Sequence, residues 1–302
     1  MASHKKVFAV VGPKGGVGKS TISANLAIAL ATMGRKVTLA DLDLGAANLH
    51  ALFGIRDTGH TIDDFILKKV KNLSDIIVDT EVHNLKFICG GSQIPNIANM
   101  PYQQKVKLMY HLMKLESDIL IVDLGAGSSY NVVDFSFMAD IGLFVTTPEV
   151  TSLMNVYSFI KSAVYRRLTF HFKSENSYEV LELLEKAKDV DSNPHLNSME
   201  KFFREAGAID PDSVHAAKKI LSEFIPHIAV NRVQTSSDAN VGTVIQGLLQ
   251  HYLSIESRIL ANLPEDIAVK KSINKMKPVF IDNPSSEFSV GIKELADKLM
   301  LC

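Results

Sequence analysis

Residues Val7 to Ser23, VFAVVGPKGGVGKSTIS, restrict the chain more than any other stretch. Val7, Val10 and Val11 form a β-branched run that reads as a strand, and Lys19-Ser20-Thr21 opens an Ala/Leu/Ile-rich helical pattern reaching Met33. Between them Gly15, Gly16 and Gly18 let backbone N–H groups converge with no Cβ in the way, and the dipole of the following helix adds partial positive charge. Strand, glycine turn and helix N-terminus in that order make an anion cradle. Lys19 is placed to reach the β- and γ-phosphates of a nucleotide, and the Ser20 hydroxyl to ligate Mg²⁺. The spacing G-x-x-x-x-G-K-[ST] is not met in full, because Pro13 stands where its first glycine would be and a second lysine, Lys14, opens the loop.

Further along, Lys36 to Ala40 reads as a strand ending in Asp41-Leu42-Asp43-Leu44-Gly45. Strand residues two apart point the same way, so Asp41 and Asp43 are expected to face the phosphate loop together, one holding a metal-bound water and the other orienting the attacking water. An apolar run, Ser117 to Val122, ends in Asp123-Leu124-Gly125-Ala126-Gly127, which places a carboxylate at the carboxyl edge of a sheet beside Mg²⁺ and follows it with a deformable turn. Asn231 closes another short strand, and its amide offers a donor and an acceptor together, as an adenine edge requires.

KGGVGKS resembles the deviant Walker A motif of the MinD/ParA family, and DLDLGAANLH resembles the switch I segment of its MinD and FlhG/FleN branch. DLGAG, TTPE and NLPED occur in the order of that family's Walker B/switch II, T-x-P-E and base-loop segments. The resemblance implies an α/β fold of the SIMIBI P-loop type, a doubly wound, mostly parallel sheet flanked by helices. It implies ATP and Mg²⁺ as ligands, and a slow, partner-stimulated ATPase that dimerises with ATP. Its residue roles carry over to Lys14, reaching into the partner subunit, and to Lys19 and Asp43 for hydrolysis. Gly15, Gly16, Val17, Gly18, Lys19, Ser20 and Thr21 would hold the phosphates, with Asn231, Arg232, Pro264, Glu265 and Asp266 around the base. Ser20, Asp41 and Asp123 would hold the metal.

At 302 residues the chain is long enough for one large domain or two small ones, and one domain over 1–302 is expected. Between about Arg166 and Phe224 it carries roughly 40 residues more than a strand-helix-strand unit needs. This stretch, 169–224, is expected to be a helical insertion: Tyr178, Leu181 and Leu184 suggest one helix and Asp210-Pro211 the start of another. It could dock a partner, flank a dimer, or simply cover the sheet.

The net charge of −1 gives no global attraction to nucleic acid, and DNA binding is not expected. Two cysteines, Cys89 and Cys302, make neither a disulfide framework nor a cluster-ligand spacing, which fits a reducing cytoplasm. The N-terminal MASHKK leaves no room for a signal peptide, and no membrane-targeting helix is expected after the last sheet-packing helix. Attachment to a membrane or cell pole would then run through a partner. The leading expectation is a spatial regulator whose ATP dimer docks on a protein. A nucleoid-binding partition ATPase and a metabolic phosphoryl-transfer enzyme or ligase on the same scaffold are the alternatives.

Overall fold

The computed structural model describes residues 5–45, 47–91 and 100–302; the MASH tetrapeptide and Ala46 of the switch I segment lie outside it. Its strands are β1 (Lys6–Val11), β2 (Val37–Leu42), β3 (Ile77–Asp79), β4 (Leu85–Ile88), β5 (Ile119–Leu124), β6 (Ile141–Thr146), β7 (His227–Val233) and β8 (Arg258–Pro264). The helices in the first half are α1 (Lys19–Thr32), α2 (Leu49–Leu52), α3 (Ile62–Ile66), α4 (Tyr102–Met113), α5 (Tyr130–Phe137) and α6 (Val150–Ser174). Those in the second are α7 (Tyr178–Lys188), α8 (Met199–Ile209), α9 (Pro211–Ser222), α10 (Ser236–Ala239), α11 (Val241–Leu248), α12 (Ile267–Asn274), α13 (Val279–Asp282) and α14 (Glu287–Leu301).

The strands form one sheet in the order β3-β4-β2-β5-β1-β6-β7-β8, parallel except for β3, which runs antiparallel to β4. Alternation along β1 builds the two cores. Val7, Ala9 and Val11 point into one layer with α4–α9, while Phe8 and Val10 point into the other with α1 and α14. Strands buried on both faces read as unbroken apolar runs, and β5 is buried throughout. The doubly wound, mostly parallel architecture is therefore as expected.

Several local expectations change. The strand expected over Lys36 to Ala40 is Val37–Leu42, so Asp41 lies within it. β3 is too short to show a period, and sequence reasoning missed it. α6 runs on to Ser174, inside the stretch expected as the insertion. Where two helices were expected in 169–224, there are three complete ones, because Met199, Phe202, Phe203 and Ala206 form the buried stripe of α8. Asp210 caps α9 through its carboxylate, which accepts the Ser213 N–H at 3.0 Å. The apolar faces of α7, α8 and α9 are buried in the same core as α6.

The buried face of α4 includes a lysine. Val106 is 44% exposed, whereas Lys105 is only 2% exposed and packs inward with Leu108, Met109 and Leu112. The cause is Asp134 on α5, whose Oδ2 lies 2.7 Å from the Lys105 ammonium. The same carboxylate receives Arg166 Nε at 2.6 Å and Nη2 at 2.8 Å, so one buried anion ties α4, α5 and α6 together.

His227, at the start of β7, is buried, and burial followed by the nearby Arg258 lowers its pKa below the ordinary 6.5. The unfolded chain then takes up a proton at this site before the folded one does. Stability held above pH 6.5 is expected to fall as pH drops through that value. Urea titrations at pH 7.5 and 5.5 should show a smaller drop for His227→Phe than for the parent; equal drops would assign the acid sensitivity elsewhere.

Candidate functional site

β1 delivers the chain to a tight turn at the carboxyl edge of the sheet, and α1 starts there. Gly16 (φ +80°) and Gly18 (φ +92°) adopt left-handed backbone that residues with a Cβ rarely take. The inner wall of this loop is polar and buried. Ser20 Oγ donates to Asp123 Oδ2 at 2.6 Å, Ser23 Oγ donates to Asp123 Oδ1 at 2.8 Å, and the Lys19 ammonium lies 3.3 Å from Asp123 Oδ1. The apolar strand β5, buried on both faces, carries Asp123 to this spot. The outer side is open: Gly15 and Gly16 are exposed, with nothing packed where a Cβ would be.

Parallel register pairs Asp41 of β2 with Asp123 of β5. Burial, then the adjacent Asp123, push Asp41 up to about 7. Burial likewise raises Asp123, against the opposing pull of Lys19. Two carboxylates share one ammonium, leaving a site that favours added positive charge. The Asp41 oxygens are also occupied in shaping switch I, accepting the N–H of Asp43 at 3.0 Å and of Leu49 at 3.1 Å. Because the strand ends at Leu42, simple alternation does not extend to Asp43. Its carboxylate lies instead against Gly125 of the DLGAG turn, 3.1 Å from where a Cβ would stand. The DLDLG and DLGAG segments thus meet at Asp43, and the Gly127 N–H joins the second of them to the phosphate loop by donating to Pro13 O at 2.9 Å.

The loop's two lysines point to different surroundings. Lys19 is buried, whereas the Lys14 side chain is 36% exposed, 3.2 Å from Glu149 Oε2 and 3.0 Å from Thr151 Oγ1. Hydrogen bonds from Thr147 and then Lys14 hold Glu149 below the usual carboxylate range. An exposed ion pair of this kind contributes at most about 1 kcal/mol. Lys14 is therefore held loosely and can be withdrawn by a better anion.

Beside α1, a cavity of about 380 Å³ is lined by Gly18, Thr21, Asn231, Arg232, Pro264, Glu265 and Asp266, so the structure brings the expected base-loop residues together. They do different jobs there. Asn231 Nδ2 donates to Val17 O at 2.8 Å and braces the phosphate loop from below. Arg232 sits at the rim with φ +59°, a conformation uncommon outside glycine. Glu265 receives Gln234 Nε2. Asp266 caps α12, accepting the Ala268 N–H at 2.8 Å, and also accepts the Phe288 N–H at 3.2 Å, so it joins α12 to α14. Lys270, Ile273 and Phe288 are also in the lining and were missed by sequence reasoning. The helical spacing from Asp266 was the available signal for Lys270 and Ile273.

A methyl group at Gly18 would collide with the Asn231 amide and would also have to adopt the loop's positive φ. Gly18→Ala is expected to weaken nucleotide binding at least about tenfold in a fluorescent-nucleotide titration, with an unchanged far-UV spectrum. A change under twofold would mean that the loop tolerates the shift.

Comparison with known proteins agrees with the fold. The family model of the CobQ/CobB/MinD/ParA nucleotide binding domain matches residues 8–279. The septum site-determining protein MinD of Helicobacter pylori is 36% identical over 151 residues, 49% of this chain and 54% of that protein. The antiactivator FleN of Pseudomonas aeruginosa is 35% identical over 158 residues, 52% of this chain and 55% of that protein. These alignments span about half the length of each relative. MinD of Bacillus subtilis aligns over 98% of this chain and 89% of its own length at 24% identity. Among solved structures, MinD of Pyrococcus horikoshii, complexed with Mg-ADP, superposes with a TM-score of 0.65 at 21% identity, covering 98% of this chain and 96% of that one. With a family model matched over most of its length, the chain belongs to the CobQ/CobB/MinD/ParA nucleotide-binding domain family, with MinD and FleN among its relatives.

Proposed function

We propose that the chain is a dimerising switch ATPase of the MinD/ParA type, converting ATP and water to ADP and phosphate. The observation that carries this reading is the division between the two loop lysines. Lys19 faces its own subunit's buried carboxylate, while Lys14 lies outward in a weak exposed pair. The first suits the phosphates bound by its own loop, and the second suits those of a facing subunit. There Lys14 would neutralise charge developing on the transferred phosphoryl group, as an arginine finger does.

Gly15, Gly16, Val17 and Gly18 would offer backbone N–H groups to the phosphates, helped by the α1 dipole. Ser20, Asp123 and Asp41 fit a Mg²⁺ ion, because a hydroxyl and two carboxylates converge in a buried place short of positive charge. Bound there, the metal would neutralise phosphate charge. Asp43, between the two switch segments, would orient the attacking water. Thr21, Asn231, Arg232, Pro264, Glu265 and Asp266 would line the seat of the nucleoside. Hydrolysis would then release the dimer, making the protein a positional switch that works through a protein partner, in the cytoplasm and at a pole or membrane through that partner. The septum site-determining MinD relatives, with the flagellum site-determining protein YlxH of Helicobacter pylori, favour a role in placing division or flagellar machinery. Net charge −1 counts against the partition-ATPase alternative.

If the catalytic unit is a dimer, phosphate release per protein molecule in Mg-ATP should rise with protein concentration. Lys14→Ala should be slow and flat across the same range. A wild-type rate proportional to enzyme concentration throughout, and insensitive to Lys14, would contradict this reading.

A further inference from the structure

Away from the phosphate loop, α5, α6 and the last residue of α7 enclose a cleft of about 520 Å³. Its lining includes Tyr130, Lys161, Arg166, Phe170, Lys173 and Lys188, and among the described residues no carboxylate lines it. In a chain of net charge −1 this is a local concentration of cations. Arg166 is fixed at the centre, because Asp134 beneath it takes both Nε and Nη2. Its guanidinium carbon lies 4.1 Å from the Tyr130 ring centroid and 4.7 Å from that of Phe170. Tyr130 is 68% exposed and Phe170 47%, and Tyr102, 50% exposed, continues the strip with its ring 5.7 Å from Phe170.

We propose that this cleft is the docking site for an acidic segment of a protein partner that also carries an aromatic or large aliphatic side chain. Fixed arginine and exposed aromatic rings beside lysines are the composition that anchors protein interfaces. The cations supply charge complementarity to carboxylates, and the rings supply apolar contact that an inorganic anion could not use. A nucleic acid would call for cations spread along a face, whereas these converge on a concavity. The cleft is linked to the phosphate loop along the chain. Ser128 in its wall follows directly after Gly127, whose N–H is bonded to Pro13 O, and Tyr130 is two residues further on. Docking itself needs no nucleotide; its coupling to nucleotide rests on the proposed switch.

The test is fluorescence anisotropy of the full chain, without nucleotide, against a fluorescein-labelled octapeptide of six glutamates flanking a central phenylalanine–leucine pair. Lys161→Glu with Lys173→Glu should weaken binding at least about tenfold, while Lys68→Glu with Lys71→Glu on a separate basic surface should change it less than twofold. An all-glutamate octapeptide should bind at least about fivefold more weakly. Far-UV spectra confirm that the variants are folded. Absence of binding at about 1 mM protein, equal losses in both double variants, or tighter binding of tripolyphosphate or duplex DNA at the same lysines would overturn the proposal. Repeating the titration with Mg-ATP and Mg-ADP separates the two ideas. Docking that survives with no nucleotide effect leaves the cleft standing and counts against the switch.

Discussion

Replacing Asp134 by alanine is expected to destabilise the protein by about 3–5 kcal/mol, the cost typical of breaking a buried ion pair by removing one partner. Asp134 is 1% exposed in its side chain and serves two cations, Lys105 at 3% and Arg166 at 19%. Without it Lys105 has to remain charged among Leu108, Met109 and Leu112, lose its proton, or pull α4 out of register. Natural stabilities of about 5–15 kcal/mol leave little margin for such a loss. Urea unfolding followed by circular dichroism measures it. Lys105→Met combined with Asp134→Leu should recover part of the deficit, since it removes the more deeply buried unpaired ammonium and leaves only Arg166, 19% exposed, to find water. A single-variant loss below about 1 kcal/mol would mean that water reaches these groups and that the triad does not fix the helices.

The second large effect is on chemistry. Asp43→Ala is expected to lower ATP turnover about 10²–10⁴-fold, the range for losing a positioned general base or its equivalent, while Mg-ATP affinity stays within a few-fold. The asymmetry follows from position. Asp43 lies at the meeting point of the two switch segments, whereas the phosphate loop is held by Asn231, Ser20 and Asp123. Single-turnover hydrolysis and equilibrium nucleotide binding, measured on the same preparation, distinguish the two effects. Unchanged turnover would move the water-orienting role to another residue, and a parallel collapse of affinity would make Asp43 a structural member of the loop.

What could be read from the chain was mostly what is local. Loop glycines, the Lys19-Ser20 pair and apolar runs ending in Asp41 and Asp123 each advertise themselves within a few residues, because a tight turn or a buried parallel strand imposes its own residue types. That gave the doubly wound fold and gathered the base-loop residues in one cavity. Contacts set by tertiary packing stayed hidden. A lysine at position 105 looks like a solvated helix residue until Asp134, 29 positions away, is placed beneath it. The Lys14–Glu149 contact spans 135 positions, and neither residue carries a mark of the other. α8 was obscured because its stripe lies between two more obvious helices, and β3 because three residues are too few to show a period.

The proposed dimer is tested most directly by the solution mass, from light scattering, of Asp43→Ala protein in Mg-ATP and in Mg-ADP, with the same variant carrying Lys14→Ala alongside. The switch mechanism requires a dimer in Mg-ATP, a monomer in Mg-ADP, and a monomer in both once Lys14 is lost. One mass in both nucleotides, unchanged by losing Lys14, would contradict it.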